Sequence, residues 1–418
     1  MSQSRRILAE HAGRDSALPG EFIEVPVDLV LANDVTAPLA IKELERLGSD
    51  GLFDPEKVVM VLDHFTPNRD VASAEQCALI RRFAKKHSLK HFYDGGEVGI
   101  EHVLLPEEGL IRPGSLVIGA DSHTCTYGAL GAFAIGVGST DVAAAMGTGL
   151  TWLRVPEAIL VNVTGRFRAY AGGKDLILYL IGKLGVDGAN YRSIEFTGDG
   201  LESLGVAGRL TVANMVIEAG AKNGLFPVDD QTVRYLAGVG VEAREGELEP
   251  DGAGYAGRIE IDLGELPPQV ALPPLPSNSV PVGEAPREKL DQVVIGSCTN
   301  GRIEDLRLAA EILAGKNVAP GLRLIIIPGT PRVYRESMNE GLFDVFLDAG
   351  AIISPPTCGP CLGGHMGVLA AGEKALSTTN RNFVGRMGHR ESEVYLCNPA
   401  VAAASAVTGR ITDPGEIT

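Results

Sequence analysis

Residues 58–64 read VVMVLDH, residues 73–87 read SAEQCALIRRFAKKH and residues 114–120 read GSLVIGA. The two short runs are rich in Val, Ile and Leu and end in polar or small residues, whereas the stretch between them has a helical apolar period. Strand, helix and strand at this spacing predict βα units in a mostly parallel sheet. Polar residues follow the strands at once: Asp63 and His64 close the first, and Asp121, Ser122 and His123 close the second. Open α/β sheets bind ligands in the crevice beyond the carboxyl ends of their strands, so these residues are site candidates.

The βα pattern occupies residues 1–157 and restarts at AILVNVTG (158–165), which marks a smaller second domain over 158–262. That segment holds the helix candidates KDLILYLIGKLG (174–185) and TVANMVIEAGAKNG (211–224). In the latter, Asn214 and Glu218 are four residues apart and share a helix face, opposite the apolar stripe of Val212, Val216 and Ala219. Residues 263–289 include the run ELPPQVALPPLPSNSVPVGEAPREK, too proline-rich for a helix or central strand, and read as an extended linker. A third domain over 290–418 carries the strands VVIG, RLIIIPG, AIIS and VYLC. Its last helix is punctuated by Asn398 as N-cap, Pro399 at N1 and Gly409 as the stop. LVIGADSHT and VVIGSCTNG echo one another, which suggests a shared topology for the first and third domains.

A chain of 418 residues is long enough for two or three cores, and 45% apolar and 22% charged residues with 52 glycines suit a turn-rich α/β enzyme. A net charge of −16 without a basic run argues against nucleic acid or an anionic membrane as partner. The N-terminal MSQSRRILAEHAG lacks a secretory apolar region and no apolar run is long enough to span a bilayer, so a cytoplasmic location is expected. Six cysteines at scattered spacings do not form a disulfide framework, and in a reducing compartment they point to metal or catalytic roles.

Cys298 in IGSCTNGR and the pair Cys358 and Cys361 in PPTCGPCLGGH lie on turn-rich sequence after apolar strands. Three thiolates on an iron-sulfur cluster leave one iron open to substrate. Amides at the start of the helix near Ile303 are expected to favour the Cys298 thiolate. Spacing alone leaves open a Cys3His zinc completed by His365, and less readily a redox pair or two inert buried thiols. Among the histidines, His64, His102 and His123 stand beside Asp63, Glu101 and Asp121 and suit acid-base work. His11, His87 and His91 read as surface residues, while His365 and His389 stay undecided. Asn380, Arg381 and Arg386 in TTNRNFVGRMG suit carboxylate recognition. Cys77, Cys125 and Cys397 read as structural, with Cys125 close to the acid-base candidates.

In this order LDHF, GADSHT, IGSCTNGR, TCGPC and NRNFVGR resemble the aconitase superfamily from near residue 20 to the end. GSCTNGRIEDLR and CGPCLGGHMGVLAAGE are similar to the branch of two-chain enzymes formed by isopropylmalate dehydratases and homoaconitases. The resemblance implies three α/β/α domains and a 4Fe-4S cluster on Cys298, Cys358 and Cys361. It further implies that Asp63 and His64 handle the leaving hydroxyl, that His102 pairs with Glu218, and that Asp121, Ser122 and His123 form a DSH site motif. Asn380, Arg381 and Arg386 match substrate-binding positions, with Asn214 beside them; Asn33 stands where aconitases have a substrate-contacting glutamine. The swivelling fourth domain of aconitases has no counterpart here, so a separate small subunit is expected to complete the site, with higher-order assembly open. The implied activity is a reversible dehydration that moves a hydroxyl between neighbouring carbons of a hydroxy-dicarboxylic acid, isopropylmalate before homoaconitate. A non-enzymatic iron-sulfur or zinc sensor is the alternative of another class, and it has no use for the histidine and arginine set.

Overall fold

The structure is a computed structural model that describes residues 1–48, 51–248 and 254–417. Strand Val58–Val61 is buried at all four positions, as a parallel strand covered on both faces requires. The helix that follows, Val71–His87, begins at an Asp70–Ser73 capping box and ends in Lys85, Lys86 and His87, whose positive charges suit the carboxyl end of the helix dipole. Together they belong to a five-stranded parallel sheet in the order His91–Tyr93, Val58–Val61, Leu29–Asn33, Leu116–Gly119, Phe133–Gly136. An antiparallel ribbon of Phe22–Pro26 and Leu150–Arg154 flanks it.

Strands Asn223–Leu225, Ser193–Thr197, Ala158–Thr164 and Gly257–Asp262 form a second parallel sheet. A third, seven-stranded sheet has five parallel strands: Glu393–Cys397, Lys374–Ser377, Gln292–Gly296, Arg323–Ile327 and Ile352–Ile353. Its other two strands, Gln269–Ala271 and Ser279–Pro281, are antiparallel and come from the proline-rich segment expected to be a linker. The prolines punctuate these strands rather than forbid them: Gln269–Ala271 contains none and pairs on both sides, while Ser279–Pro281 lies at the edge, where a missing amide is tolerated. The last helix is Pro399–Thr408, with the Asn398 side chain accepting from the Val401 amide and Gly409 left-handed at φ 75°, as the sequence predicts.

Numbered within their own segments, the parallel strands of the first and third sheets share the order 3-2-1-4-5. The sequence echo does not align equivalent strands, however, because Leu116–Gly119 is fourth in its sheet and Gln292–Gly296 is first in its own. In this order the succession of strands reverses between strands 1 and 4, and the crevice opens beyond their carboxyl ends. Asp121 follows the fourth strand of the first sheet; Cys298 and Asn380 follow the first and fourth strands of the third. One apolar cluster joins Leu31, Val161 and Val294, one from each sheet, so the layers that carry these strand ends share packing. Among the described residues no helix is long and apolar enough to cross a membrane.

Candidate active site

The carboxyl ends of the first and third sheets are tied directly to each other. The Asp63 carbonyl accepts from the Cys358 amide at 2.9 Å and from Thr357 Oγ1 at 2.9 Å. Buried Arg302 donates to the carbonyls of Cys298, Thr299 and His102 at 3.0, 3.1 and 3.2 Å, so one side chain clamps a cysteine loop against a histidine helix. The small cavity between them is lined by Asp63, His64, Glu101, His102, Asp121 and His123 on one side and by Cys298, Cys358, Cys361, Asn380 and Arg386 on the other. Among the described residues, four wider concavities lack this convergence of thiols, imidazoles and carboxylates.

Three imidazole–carboxylate pairs stand in the cavity wall. His64 Nδ1 lies 2.7 Å from Asp63 Oδ1 and 3.3 Å from Asp34 Oδ1. Burial works against a charge on His64, but Asp63 and Asp34 outweigh it and hold the imidazole well above its usual range. His102 Nε2 bonds to Asp121 Oδ1 at 2.9 Å and its Nδ1 to the Tyr127 hydroxyl at 3.1 Å. His123 Nε2 bonds to Glu218 Oε1 at 2.9 Å. The expected pairing of His102 with Glu218 is therefore corrected: Glu218 serves His123, and Asp121 serves His102. The physical reason is the turn Ser122–Leu130, which swings His123 toward the second sheet's helix and leaves the Asp121 carboxylate facing His102. Burial raises Asp121, yet its bonds to His102 and His123 hold it well below the carboxylate range. Burial and then the Asp63 and Asp121 charges push Glu101 well above it, and Glu101 Oε2 has no partner.

Asn214 and Glu218 do reach one site, but not along a continuous helix. The α-helix Val206–Met215 ends between them and Val216–Ala219 tightens to a 3₁₀ turn, while Val212, Val216 and Ala219 are buried as the stripe predicts. Glu218 Oε1 also accepts from Arg381 Nε at 2.7 Å, and Arg381 Nη2 donates to Ser122 Oγ at 2.9 Å. Arg386 Nε is buried without a partner, a donor left facing the cavity.

Asn214 Nδ2 and Asn380 Nδ2 both donate to Cys298 Sγ at 3.3 Å, and Arg386 Nη2 lies 4.0 Å from Cys361 Sγ. The expectation that helix amides favour a Cys298 thiolate is not met. Cys298 sits in its own one-turn helix, Ser297–Asn300, ahead of the helix at Ile303, and burial pushes its thiol up to about 12. The hydrogen bond between Cys358 and Cys361 pushes the Cys358 thiol well above the usual range and, with the nearby Arg386, holds Cys361 well below it. Buried sulfurs that receive amide and guanidinium donors fit thiolate ligands whose charge a bound metal group offsets.

A lone tetrahedral zinc requires sulfurs within roughly 4 Å of one another. Among the described residues the donor groups lying within 4.8 Å of each other are Asp34, Asp63 and His64, and Glu101, His102 and Asp121; the three cysteines form no such group. His365, the fourth zinc ligand considered, bonds instead through Nε2 to the Pro67 carbonyl at 2.7 Å and does not line the cavity. The donor set thus fits a polynuclear group better than a single ion.

His389, Cys77, Cys397 and Cys125 lie outside the cavity lining; Cys125 is buried and donates to the Asn214 and Ser122 carbonyls. Asn33 donates to Glu101 Oε1 at 2.9 Å. Sequence reasoning passed over Asp34, Tyr127 and Arg302. Asp34 was legible, since it follows a buried strand end as Asp63 and Asp121 do. Nothing in sequence marks Tyr127, which reaches His102 only because its turn packs there.

The aconitase family (aconitate hydratase) model matches residues 5–290 and 284–409. The chain is 60% identical over 418 residues to the 3-isopropylmalate dehydratase large subunit of Moorella thermoacetica, covering 100% of this chain and 99% of that one. It is 59% identical over 417 residues to the protein of the same name from Syntrophus aciditrophicus, again covering 100% and 99%. It is 56% identical over 419 residues to 3-isopropylmalate dehydratase large subunit 1 of Pyrococcus furiosus, with the same coverage. The crystal structure of Thermococcus kodakaraensis aconitase X in its holo form covers 90% of this chain and 87% of its own at 14% identity and a TM-score of 0.50, a likeness of fold alone. The parallel sheets with polar strand ends and the full-length sequence matches agree: this chain belongs to the aconitase family.

Proposed function

We propose that this chain is the large subunit of a 3-isopropylmalate dehydratase, a hydro-lyase of leucine biosynthesis that isomerises 2-isopropylmalate to 3-isopropylmalate by dehydration and rehydration. The observation that carries the reading is the cavity in which three thiols, three imidazoles and Arg386 converge, each imidazole bonded to a carboxylate: Asp63, Asp121 or, behind the lining, Glu218. The names of the full-length relatives supply the substrate and the need for a small subunit. Residues 1–157 and 158–262 act as two α/β domains, and 290–418 as a third whose sheet also takes in the strands Gln269–Ala271 and Ser279–Pro281, in a cytoplasmic enzyme whose thiols stay reduced.

Cys298, Cys358 and Cys361 would hold a 4Fe-4S cluster. When bound, it supplies a Lewis-acidic iron without a cysteine ligand, suited to a hydroxyl and a carboxylate of the substrate. His64 is held as imidazolium by Asp63 and Asp34, which leaves its Nε2 proton for the departing hydroxyl. Arg386, with its unpartnered Nε, and Arg381, braced by Glu218 and Ser122, bind substrate carboxylate. His102 and His123, fixed by Asp121 and Glu218, orient the substrate and share its protons, while Asn214 and Asn380 keep the Cys298 sulfur in place. The group that removes the carbon-bound proton comes from the small subunit.

Reconstitution with iron and sulfide under anaerobic conditions, followed by addition of the small subunit, tests the proposal. About four irons and four sulfides per chain and turnover of 2-isopropylmalate ahead of homoaconitate are expected. Stoichiometric zinc without sulfide, or full turnover by the isolated chain, would overturn it.

A further inference from the structure

A second concavity, about 410 Å³, lies between the Phe22–Pro26/Leu150–Arg154 ribbon and the turn that carries the DSH motif. It meets the active site at two points. Ser122 lines it while its Oγ accepts from Arg381, and Ile217 lines it beside Glu218. On its outer edge the rings of Phe22 and Trp152 lie 5.9 Å apart, each 66% exposed, and Trp152 is the only tryptophan of the chain. Two aromatic side chains standing this far into water mark a contact surface better than a small-molecule pocket, because a compact dianion covers little of them.

The groove also gathers positive charge on a chain whose net charge is −16. Arg154 Cζ and Lys222 Nζ lie 4.3 and 5.0 Å from the Tyr191 ring centroid, and neither side chain makes an ion pair among the described residues. Asp141, the acid in the lining, is engaged with the Gly138 amide. Tyr191 is held at φ 57°, a left-handed conformation that bulky residues seldom adopt, and its hydroxyl accepts from the Arg154 amide at 3.2 Å.

We infer that this groove is the seat of the small subunit, which presents a carboxylate to Arg154 and Lys222 and apolar side chains to Phe22 and Trp152. The inference rests on the two-chain reading above. It follows from charge complementarity, an unpaired cationic pair that a carboxylate satisfies, and from adjacency to the candidate site, since Ser122 bonds to Arg381 and Ile217 precedes Glu218. A subunit seated here extends its neighbouring segments over the cavity mouth, where the missing base is needed.

The test uses the cluster-loaded chain and the purified small subunit. The double variant Arg154→Glu/Lys222→Glu is expected to raise the Kd for the small subunit at least about tenfold, with kcat at saturating small subunit within about twofold of the parent and iron content unchanged. A Kd within twofold of the parent overturns the assignment, as does a raised KM with an unmoved Kd, which makes the groove a substrate site. Should the double variant misfold, the parent chain labelled with 5-fluorotryptophan gives a second readout. Its single ¹⁹F resonance is expected to shift on addition of small subunit, and a resonance that stays put overturns the seat. If parent and small subunit associate and turn over while these readouts fail, only the seat is wrong. If they never associate, the two-chain reading falls with it.

Discussion

Replacing Asp63 with Asn keeps the shape of the side chain and removes the charge that sustains the His64 imidazolium. Asp63 Oδ1 accepts from His64 Nδ1 at 2.7 Å, and Oδ2 accepts from the Glu101 amide at 2.8 Å. A carboxamide has one acceptor for two donors. If its oxygen stays on the Glu101 amide, its NH₂ meets His64 Nδ1, which must then lose its proton and leave a neutral ring. A neutral imidazole is a far weaker acid than imidazolium, so most of the general-acid contribution, roughly 10²–10⁴ in rate, is at stake. That range corresponds to about 3–5 kcal/mol of transition-state stabilisation. Asp34 Oδ1, 3.3 Å from the same nitrogen, survives the substitution and retains part of the field. The expected loss in kcat is therefore at the lower end, about 10²–10³, with KM little changed. The cysteine loop should be untouched, because Thr357 and Cys358 bond to the Asp63 backbone carbonyl and not to its side chain. Steady-state kinetics on 2-isopropylmalate with the small subunit in excess give the answer, with iron and sulfide content as the control. The parent should also lose kcat as pH rises through the elevated His64 value, and the variant should lose it at lower pH. A kcat within threefold of the parent at equal cluster content would refute the assignment of His64 as the acid held by Asp63.

Arg381→Lys exchanges a fork that reaches Glu218 at 2.7 Å and Ser122 at 2.9 Å for a point charge that cannot span both, so KM should rise about tenfold with a smaller fall in kcat. Arg209→Met removes a fully buried guanidinium that holds Asp229 through bonds of 2.8 and 2.6 Å and caps the Leu201 and Leu204 carbonyls. Urea unfolding should show a loss of about 3 kcal/mol, and a loss below 1 would remove this pair from the stability argument. His11 Nε2 lies 2.8 Å from Asp28, and that hydrogen bond raises the imidazole above its ordinary value while His11 lowers Asp28. The raised histidine contributes stability that is complete below its unfolded value and fades as pH climbs through the folded one; the lowered aspartate contributes stability that fades on acidification. Thermal melts of His11→Gln against the parent should therefore differ most between about pH 4.5 and 6.5 and converge on either side.

The sequence by itself determined the parallel sheets, the helix caps and the residue types of the site. Strands such as VVMV are apolar at every position because both faces are covered, and Asp70, Ser73, Asn398 and Gly409 cap helices by local bonding that needs no distant partner. Strand-end placement likewise exposed Asp63, Asp121, Cys298 and Asn380, since chain order and the strand-end rule suffice to find them. Pairings across the cavity were decided only by tertiary structure. His102 and His123 exchange the carboxylates expected of them, since which imidazole meets Glu218 depends on how a turn of the first sheet packs on a helix of the second, 95 residues away in the case of His123. The proline-rich stretch became sheet because long-range pairing with the Glu393–Cys397 strand outweighs local composition. The Cys298 thiol went up rather than down because burial among distant residues outweighs the amides of its own segment. Local chemistry is written in neighbouring residues; a charge's partner and the water around it are set by whichever surface the fold brings against it.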